Sequence, residues 1–381
     1  MAMLPSEIIL EEILPKLPAK SLLRFKCVSK QFQTLISSPN FIHRHLHHSL
    51  STVANRLLIT SRGSGLHSFD LDSPENPPVS LPLPEFFEPD LCSIIGCCNG
   101  LLLLRSGPYN PKFVLMNPST GFYTVIPYGG GPACNCSYGF GYDAINDDYK
   151  IVIFYDWNGV NVANLKDKLW RNLDDDLDRA PGDCQMAVVC DNHLCHWLIW
   201  SELKQKHQIV CFDLCIENWT NDVPLPDYKD NSADLLLDNC RHKRNDVTAL
   251  QVMDGFLSVL IQSNTGSDGR DLWVMKEYGI KDSWVKLFGF SDPNCTPLTF
   301  GGLSNSKVLC KVCVASKYQL KWYNVRERQY NDAEIHDVHG VKRLYEVCVV
   351  NGSLVTVPGG KQIHDNDQGV QGGWRTSWTN S

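Results

Sequence analysis

The sequence of 381 residues predicts a mainly β protein with a small N-terminal α domain, in which a helical segment is followed by a six-bladed β-propeller. Three observations favour this fold. One supersecondary phrase recurs along most of the chain. Its copies start at a nearly constant spacing, which is typical of four-stranded propeller blades. The first fifty residues lack the phrase and follow a helical pattern instead.

The phrase is a short apolar strand, a polar turn and an aromatic residue about ten positions after the strand begins. The copies start at 66, 113, 160, 209, 272 and 320, which gives spacings of 47, 47, 49, 63 and 48 residues. The longest unit predicts a loop insertion between Pro226 and Val247. The full copies comprise strands 113–118, 160–165, 209–214, 272–277 and 320–325 with the aromatic residues Phe122, Trp170, Trp219, Trp284 and Tyr330, and the first copy, 66–71, lacks the aromatic.

Hairpin signals supply the inner half of each blade and predict how the ring closes. Asn99-Gly100 and Asp254-Gly255 each lie between two apolar runs, as in two-residue hairpins. A last hairpin, 344–350 and 354–357, has no outer half after it, and the first unit has a weak inner half. We therefore expect this C-terminal hairpin to complete the first blade of a propeller that spans residues 56–357. The polar tail 358–381 is expected to be disordered.

Residues 1–48 are predicted to form a helical domain, joined to the ring by a short linker, 49–55. Apolar residues recur there at four-residue spacing, and Pro15 and Pro18 end the first helix. Two short helices, 19–27 and 29–37, and a fourth that starts at Ser38 follow. So small a domain buries its apolar stripe poorly by itself, which indicates a partner helix.

The residues of this domain closely resemble an F-box, the motif that docks onto the Skp adaptor of Skp–Cullin–F-box ubiquitin ligases. The matching letters are LP at 4–5, IL at 13–14, LP at 17–18, SL at 21–22, CVSK at 27–30 and FI at 41–42. Phe32 stands where the family often has Trp, so an aromatic is retained. The resemblance implies binding to the Skp adaptor, and through it to a cullin, by Leu4, Pro5, Ile8, Ile13, Leu14, Leu17, Pro18, Leu22, Val28 and Phe32.

Most of residues 90–290 resembles the F-box-associated domain of plant F-box proteins, including the S-locus F-box and S-locus F-box-like group. The phrases are GCCNGL at 96–101, NPST at 117–120, YGFGYD at 138–143, NDDYK at 146–150 and LWVMKEYG at 272–279. This resemblance implies a kelch-like propeller that captures a protein client for ubiquitination and degradation. It implies no catalytic residue in this chain, and it does not identify the client.

Composition and motif spacing argue against several other classes of protein. No apolar run reaches the length of a membrane span, and the acidic residues near the N-terminus do not fit a signal peptide, so no membrane partner is expected. The sixteen cysteines are expected as reduced thiols, which favours the cytoplasm, the nucleus or both. A pI near 5.9 disfavours nucleic-acid binding. Neither Gly129–Gly131 nor Gly139-Phe140-Gly141 completes a phosphate-binding loop, and His43 and His47 lack a third ligand, so we expect no cofactor and no metal.

Two polar segments are candidates for contact with the client. One is an acidic run after Trp170, and the other is the insertion 228–244. For the acidic run, a solvated loop is the favoured explanation, and contact with a basic partner is the alternative. Residues 1–50 have six basic and three acidic side chains and therefore a charge of +3. Because the whole chain has a net charge of −7, residues 51–381 have a net charge of −10. An acidic ring would suit a basic client such as an S-locus ribonuclease. The candidate residues are Asp174, Asp175, Asp176, Asp178, Tyr228, Arg241 and Arg244.

Two other functions remain open from the sequence. The ring could be a hydrolase or a sugar-binding domain, with Asp143, Asp213 and Asp254 as the candidate carboxylates. Turn chemistry explains these residues as well. The chain could also be a scaffold that uses its F-box for assembly without degradation.

Overall fold

Six antiparallel sheets follow an N-terminal helical domain in the computed structural model, as the sequence predicts. Within the part of the chain that is described, no helix is both long and apolar enough to cross a bilayer. The described residues are 8–52, 56–61, 65–71, 73, 76–88, 92–107, 111–128, 136–155, 159–173, 187–201, 204, 206–227, 247–253, 255–262, 269–292, 295–301, 307–314, 317–330, 344–363 and 375–377.

Serine caps and prolines set the bounds of the helical domain. The Ser29 and Ser38 hydroxyls accept hydrogen bonds from the backbone N–H groups of Phe32 and Phe41, at 3.1 and 3.3 Å. Each serine is thus the N-cap of the helix that follows it. The elements are a π-helical turn Ile9–Ile13, a 3-10 turn Leu14–Lys16, and the helices α1 Ala19–Lys26, α2 Lys30–Ile36 and α3 Pro39–Leu50.

Four of the described sheets have four strands, and those of blades two and three have a fifth at the outer edge. The strands follow chain order from the ring axis outward, except in blade one, whose innermost strand comes from the C-terminal part of the chain. The strands of blades one to three are β1 Arg56–Ser61, β2 Gly65–Asp70, β3 Val79–Leu81, β4 Cys92–Cys98, β5 Leu101–Ser106, β6 Lys112–Asn117, β7 Phe122–Pro127, β8 Cys136–Asp143, β9 Asp148–Tyr155, β10 Gly159–Asn164 and β11 Leu169–Leu173. The strands of blades four to six are β12 Val188–Cys190, β13 Leu194–Ser201, β14 Lys206–Asp213, β15 Asn218–Trp219, β16 Val247–Met253, β17 Phe256–Gln262, β18 Arg270–Met275, β19 Trp284–Phe290, β20 Cys295–Gly301, β21 Lys307–Val314, β22 Lys317–Asn324 and β23 Gln329–Tyr330.

The ring is closed by one strand from the C-terminal part of the chain, β24 Leu344–Val350. It pairs antiparallel with β1, from Arg56 opposite Val350 to Ser61 opposite Leu344, and becomes the innermost strand of blade one. The predicted closure is correct for this strand and wrong for the second half of the hairpin. Residues 354–357 form no strand: Leu354 packs into the helical domain, while Val357 packs between blades two and three.

The tail also departs from its expected disorder. Lys361–Gln362 forms β25 and pairs with Phe122 and Tyr123 at the outer edge of blade two. Arg375–Ser377 forms β26 and pairs in parallel with β11 of blade three. Edge strands expose unpaired backbone groups, so these two short additions give both outer edges hydrogen-bond partners. The rest of 364–381 lies outside the described residues.

The repeated aromatic residues lie between neighbouring blades, as predicted. The indole N–H groups of Trp170 and Trp284 donate to the carbonyl oxygens of Pro127 and Pro224, which belong to the preceding blades, at 2.9 and 2.8 Å. Trp219 likewise packs against Phe154 of blade three, with ring centroids 4.9 Å apart. Each tryptophan therefore joins its own blade to the one before it.

In blade two the aromatic of the phrase is one position later than predicted. Phe122 is 41% exposed, whereas Tyr123 is fully buried. Tyr123 pairs with Met116, one residue before the end of β6, and Trp170 and Trp219 occupy the same register against Ala163 and Phe212. Two consecutive aromatics made the sequence ambiguous, and alternation along the strand decides which of them faces the core.

Gly100 offers a test of the contact that joins the closing strand to the ring. Its φ is +75°, and a Cβ there would lie 2.2 Å from the Cβ of Ser353. Gly255 occupies the same hairpin position in blade five with φ +81°, and a Cβ there would meet nothing within 4 Å. Gly255→Ala should cost about 1 kcal/mol from backbone strain alone. Gly100→Ala should cost clearly more in urea unfolding, and should speed proteolysis between the helical domain and the ring.

Equal free energies of unfolding for the two alanine variants would contradict this account of the contact. The comparison is sharp because both substitutions place the same side chain in the same left-handed turn conformation.

Candidate functional site

The helical domain packs against one face of the ring, which we call the near face. The Asn351 side-chain amide, just after β24, donates a hydrogen bond to the Ser49 carbonyl at the end of α3. Leu354 is buried among the apolar side chains of the helical domain. The turn at Asn99-Gly100 approaches the same 351–353 segment. The turns that join first to second strands in the blades therefore lie on this face.

The opposite face carries the connections from blade to blade. Because neighbouring strands are antiparallel, the first strand of each blade must start, and the fourth must end, away from the helical domain. Near-face turns are short, such as 118–121 and 214–217. Far-face connections include 174–187 and 220–246. Loops of such length on a rigid frame are where binding residues are usually found.

All seven candidate client-binding residues lie outside the described part of the chain. Asp174, Asp175, Asp176 and Asp178 precede β12, while Tyr228, Arg241 and Arg244 precede β16. The described strand ends on either side, Leu173 and Trp219 among them, place both segments on far-face connections. Their role in binding a client stays a prediction.

A central channel of about 810 Å³ runs between the innermost strands. Leu46 and Leu50 of α3 line its near end. The carboxylate of Glu346 on β24 also lines it and accepts a hydrogen bond from the Ile94 N–H. Burial raises the pKa of Glu346 to about 7, so this channel carboxyl changes charge near neutral pH.

The predicted adaptor-binding residues divide into surface and core positions. Val28 is 66% exposed, and Ile8, Ile13 and Pro18 are exposed as well. Leu17 and Phe32 are half-buried, and Phe32 packs against the exposed ring of Phe25 at a centroid distance of 6.1 Å. Exposed apolar side chains so close together are typical of an interaction surface.

Leu14 and Leu22 are buried inside the helical domain, so the structure does not offer them as surface contacts. Sequence periodicity places residues on the apolar side of a helix, but it does not tell whether that side meets the domain's own core or a partner. Leu4 and Pro5 lie outside the described residues.

A buried ionic cluster links blades three and four on the near face. The Lys150 ammonium is 2.7 Å from carboxylate oxygens of both Asp143 and Glu217 and donates to the Leu214 carbonyl at 2.8 Å. Burial disfavours its charge, but the two carboxylates outweigh burial and raise its pKa. Arg171 adds a contact to Glu217 at 2.6 Å. The cluster explains the YGFGYD and NDDYK phrases as blade-joining elements.

The two described carboxylates proposed for a hydrolase are held by internal partners. Asp143 is fully buried against Lys150. Asp213 accepts the Cys215 N–H at 2.7 Å in a turn between β14 and β15. Both lie at near-face turns rather than together at a free channel mouth. Asp254 is outside the described residues.

One group of potential metal ligands was missed by sequence reasoning. His193, Asp213 and Cys215 bring ligand atoms within 4.8 Å of one another. They come from two different turns of blade four, so their spacing along the chain does not resemble a metal motif. His43 and His47 do not join such a group within the described residues.

Comparison with known proteins identifies both parts of the chain. The model of the F-box domain matches residues 1–44, and that of the F-box associated beta propeller domain matches residues 66–357. F-box protein CPR1 of Arabidopsis thaliana is 28% identical over 401 aligned residues, covering 93% of this chain and 89% of the relative. F-box/kelch-repeat protein At3g23880 of the same plant is 28% identical, covering 74% of this chain and 78% of the relative.

Among solved structures the similarity is at low sequence identity. TolB from Acinetobacter baumannii aligns with a TM-score of 0.47 and 12% identity, over 82% of this chain and 73% of the other. The finer resemblance to the S-locus group stays a prediction.

Lys150 and Lys166 provide a matched test of the buried cluster. Lys150→Met should destabilise the protein by about 3–5 kcal/mol, because it leaves the buried carboxylate of Asp143 without a counter-charge. Lys166→Met removes an exposed pair with Asp147, at 3.5 Å, and should cost less than about 1 kcal/mol. Urea unfolding at pH 7 measures both. A small loss for Lys150→Met would show that the cluster is not needed to hold blades three and four together.

Proposed function

The chain belongs to the F-box proteins that carry an F-box associated β-propeller domain, and from this premise we propose that it is a substrate receptor of a Skp–Cullin–F-box ubiquitin ligase. In this role the helical domain binds the Skp adaptor and thereby a cullin, and the ring binds a protein client. We place this activity in the cytoplasm, the nucleus or both. The chain itself then needs no catalytic group, since it contributes proximity.

The observation that carries the proposal is the division of the molecule into two separate surfaces. The helical domain exposes the apolar side chains of Val28, Phe25 and Ile13. Its buried side meets the near face of the ring through Leu354 and Asn351. The described contacts of the helical domain with the ring are on the near face. One chain can therefore hold an adaptor and a client at the same time.

We assign client binding to the far face. Near-face turns are short, and residues of several of them already contact the helical domain or a neighbouring blade. The far face carries the long connections, including the acidic run after Leu173. The charge of −10 on residues 51–381 favours a basic client, and a ribonuclease of the S-locus type is one such protein.

A second function, a scaffold that assembles without degradation, uses the same two surfaces. Client turnover separates it from the first, because only the ligase role makes the client's lifetime depend on the proteasome. The hydrolase or sugar-binding alternative has less support, since Asp143 and Asp213 already have internal partners.

Docking of the adaptor can be tested at two positions that each have an exposed, β-branched apolar side chain. Val28→Asp places a charge on the helical domain, at a side chain that is 66% exposed. Ile216→Asp makes a similar change on the ring, at a side chain that is 62% exposed. Val28→Asp should weaken adaptor binding at least about tenfold, because the charge would be desolvated at the interface. Ile216→Asp should bind the adaptor normally. Calorimetric titration with purified adaptor measures both.

Both docking variants should keep the wild-type unfolding transition, since exposed substitutions rarely change stability by more than about 0.5 kcal/mol. Leu22→Asp would not serve, because its charge would be buried in the helical core. Normal adaptor affinity in Val28→Asp and in Ile13→Asp would contradict the proposed docking surface.

Client binding can be tested on the far face. Exchange of 228–244 for a short Gly/Ser bridge, and separately of the four aspartates between 174 and 178 for asparagine, should leave folding and adaptor binding unchanged. Each should weaken client capture. The effect of the asparagine variant should shrink at high salt, because ionic screening already weakens exposed charge contacts. Affinity capture with a proteasome inhibitor measures client binding, and undiminished capture by both variants would move the site elsewhere.

A further inference from the structure

Two cysteine side chains meet where the ring closes. Cys97 lies on β4, the innermost strand of blade two, and Cys348 lies on β24, the innermost strand of blade one. Their thiols are hydrogen-bonded to each other. Both Sγ atoms also approach the Val349 carbonyl oxygen, at 3.8 and 3.9 Å. The pair thus bridges the first and last parts of the closed ring.

The pair is open to small molecules in the central channel. Cys97 and Cys348 both line the channel of about 810 Å³, and both are half-buried. A second thiol pair, Cys295 and Cys310 in blade six, is also hydrogen-bonded. Those two side chains are fully buried and do not line the channel. Two similar pairs therefore differ in access to solvent.

The environment also makes one thiol of the accessible pair easier to ionise than the other. The hydrogen bond from Cys348 lowers the pKa of Cys97, against the opposing effect of burial. The same hydrogen bond and burial raise the pKa of Cys348. Cys97 is thus the thiol of the pair that ionises more readily, and the thiolate is the reactive form of cysteine.

We propose that Cys97 and Cys348 form an oxidation site, which a small hydroperoxide in the channel converts to a disulfide that locks the closing strand to blade two. The Cys97 thiolate attacks one peroxide oxygen, the O–O bond breaks, and the leaving hydroxide takes a proton to become water. The Cys348 sulfur then attacks the resulting sulfenic sulfur, the S–O bond breaks, and a second water leaves. Two thiols lose two electrons and two protons, and one hydrogen peroxide is reduced to two waters.

The cross-link acts on the strand that supports both the ring and the helical domain. β24 supplies the innermost strand of blade one, and Asn351 directly after it holds the end of α3. With a covalent bond at Cys348, β24 can no longer separate from blade two, so the ring cannot open at this place. Oxidation therefore stabilises the closed ring together with its attached helical domain.

The full chain is purified under reducing conditions and treated with a small excess of hydrogen peroxide. Peptide mass spectrometry after alkylation should find Cys97 joined to Cys348, with Cys295 and Cys310 alkylated as free thiols after unfolding. The midpoint of thermal unfolding should rise by about 5 °C or more and return on reduction with dithiothreitol.

Matched variants separate the cross-link from general oxidation. Cys348→Ser and Cys97→Ala should each abolish the rise, whereas Cys310→Ser should keep it. If a single variant folds poorly, the cross-linked peptide in the wild-type chain still decides the matter. The proposal would be overturned if Cys97 were fully converted to other oxidised forms and the cross-linked peptide were absent. So would a rise in the unfolding midpoint that persists in Cys348→Ser.

Discussion

Ring closure by β24 is the constraint on which the rest of the structure depends. A propeller blade has few contacts beyond its neighbours, so an open ring would leave two blades with an uncovered side. The pairing of β24 with β1 joins residues from opposite parts of the sequence and covers both. The same strand delivers Asn351 to α3 and Leu354 to the core of the helical domain. Closure and the attachment of the helical domain are thus one event, and a loss of β24 would affect both.

The joints between blades use different chemistry. Near the start of the fourth strand in blades three and five, the indoles of Trp170 and Trp284 bind proline carbonyl oxygens of the preceding blade. On the near face, Lys150 joins blades three and four through two carboxylates. A buried ion pair adds little net stability over apolar packing, but it accepts only one arrangement of its partners. The tryptophans bury apolar area, and the lysine cluster fixes the register in which two blades meet.

Much of the fold could be predicted because its signals are periodic. Blade number, the strand and aromatic phrase and the helical start all follow from spacing, and the structure confirms them. The misassignments come from choices that one sequence does not resolve. Phe122 and Tyr123 are adjacent aromatics, and only the pleat decides which is buried. Leu14 and Val28 both fit an apolar helix face, yet one is core and the other surface. His193 and Cys215, or Cys97 and Cys348, meet only after distant turns and strands are brought together by the ring.

The two faces differ in how much sequence change they can accept. Near-face turns depend on left-handed backbone at Asn99, Asp147, Glu217 and Arg328, and on glycine at positions such as Gly100. A longer or different turn there would lose that conformation and disturb the blades or the helical domain. The entropic cost of closing a loop rises only slowly with its length, so the far-face connections can change in length and charge while closure and docking are kept. Under the proposed function, a new client specificity can therefore arise on the far face without loss of adaptor binding.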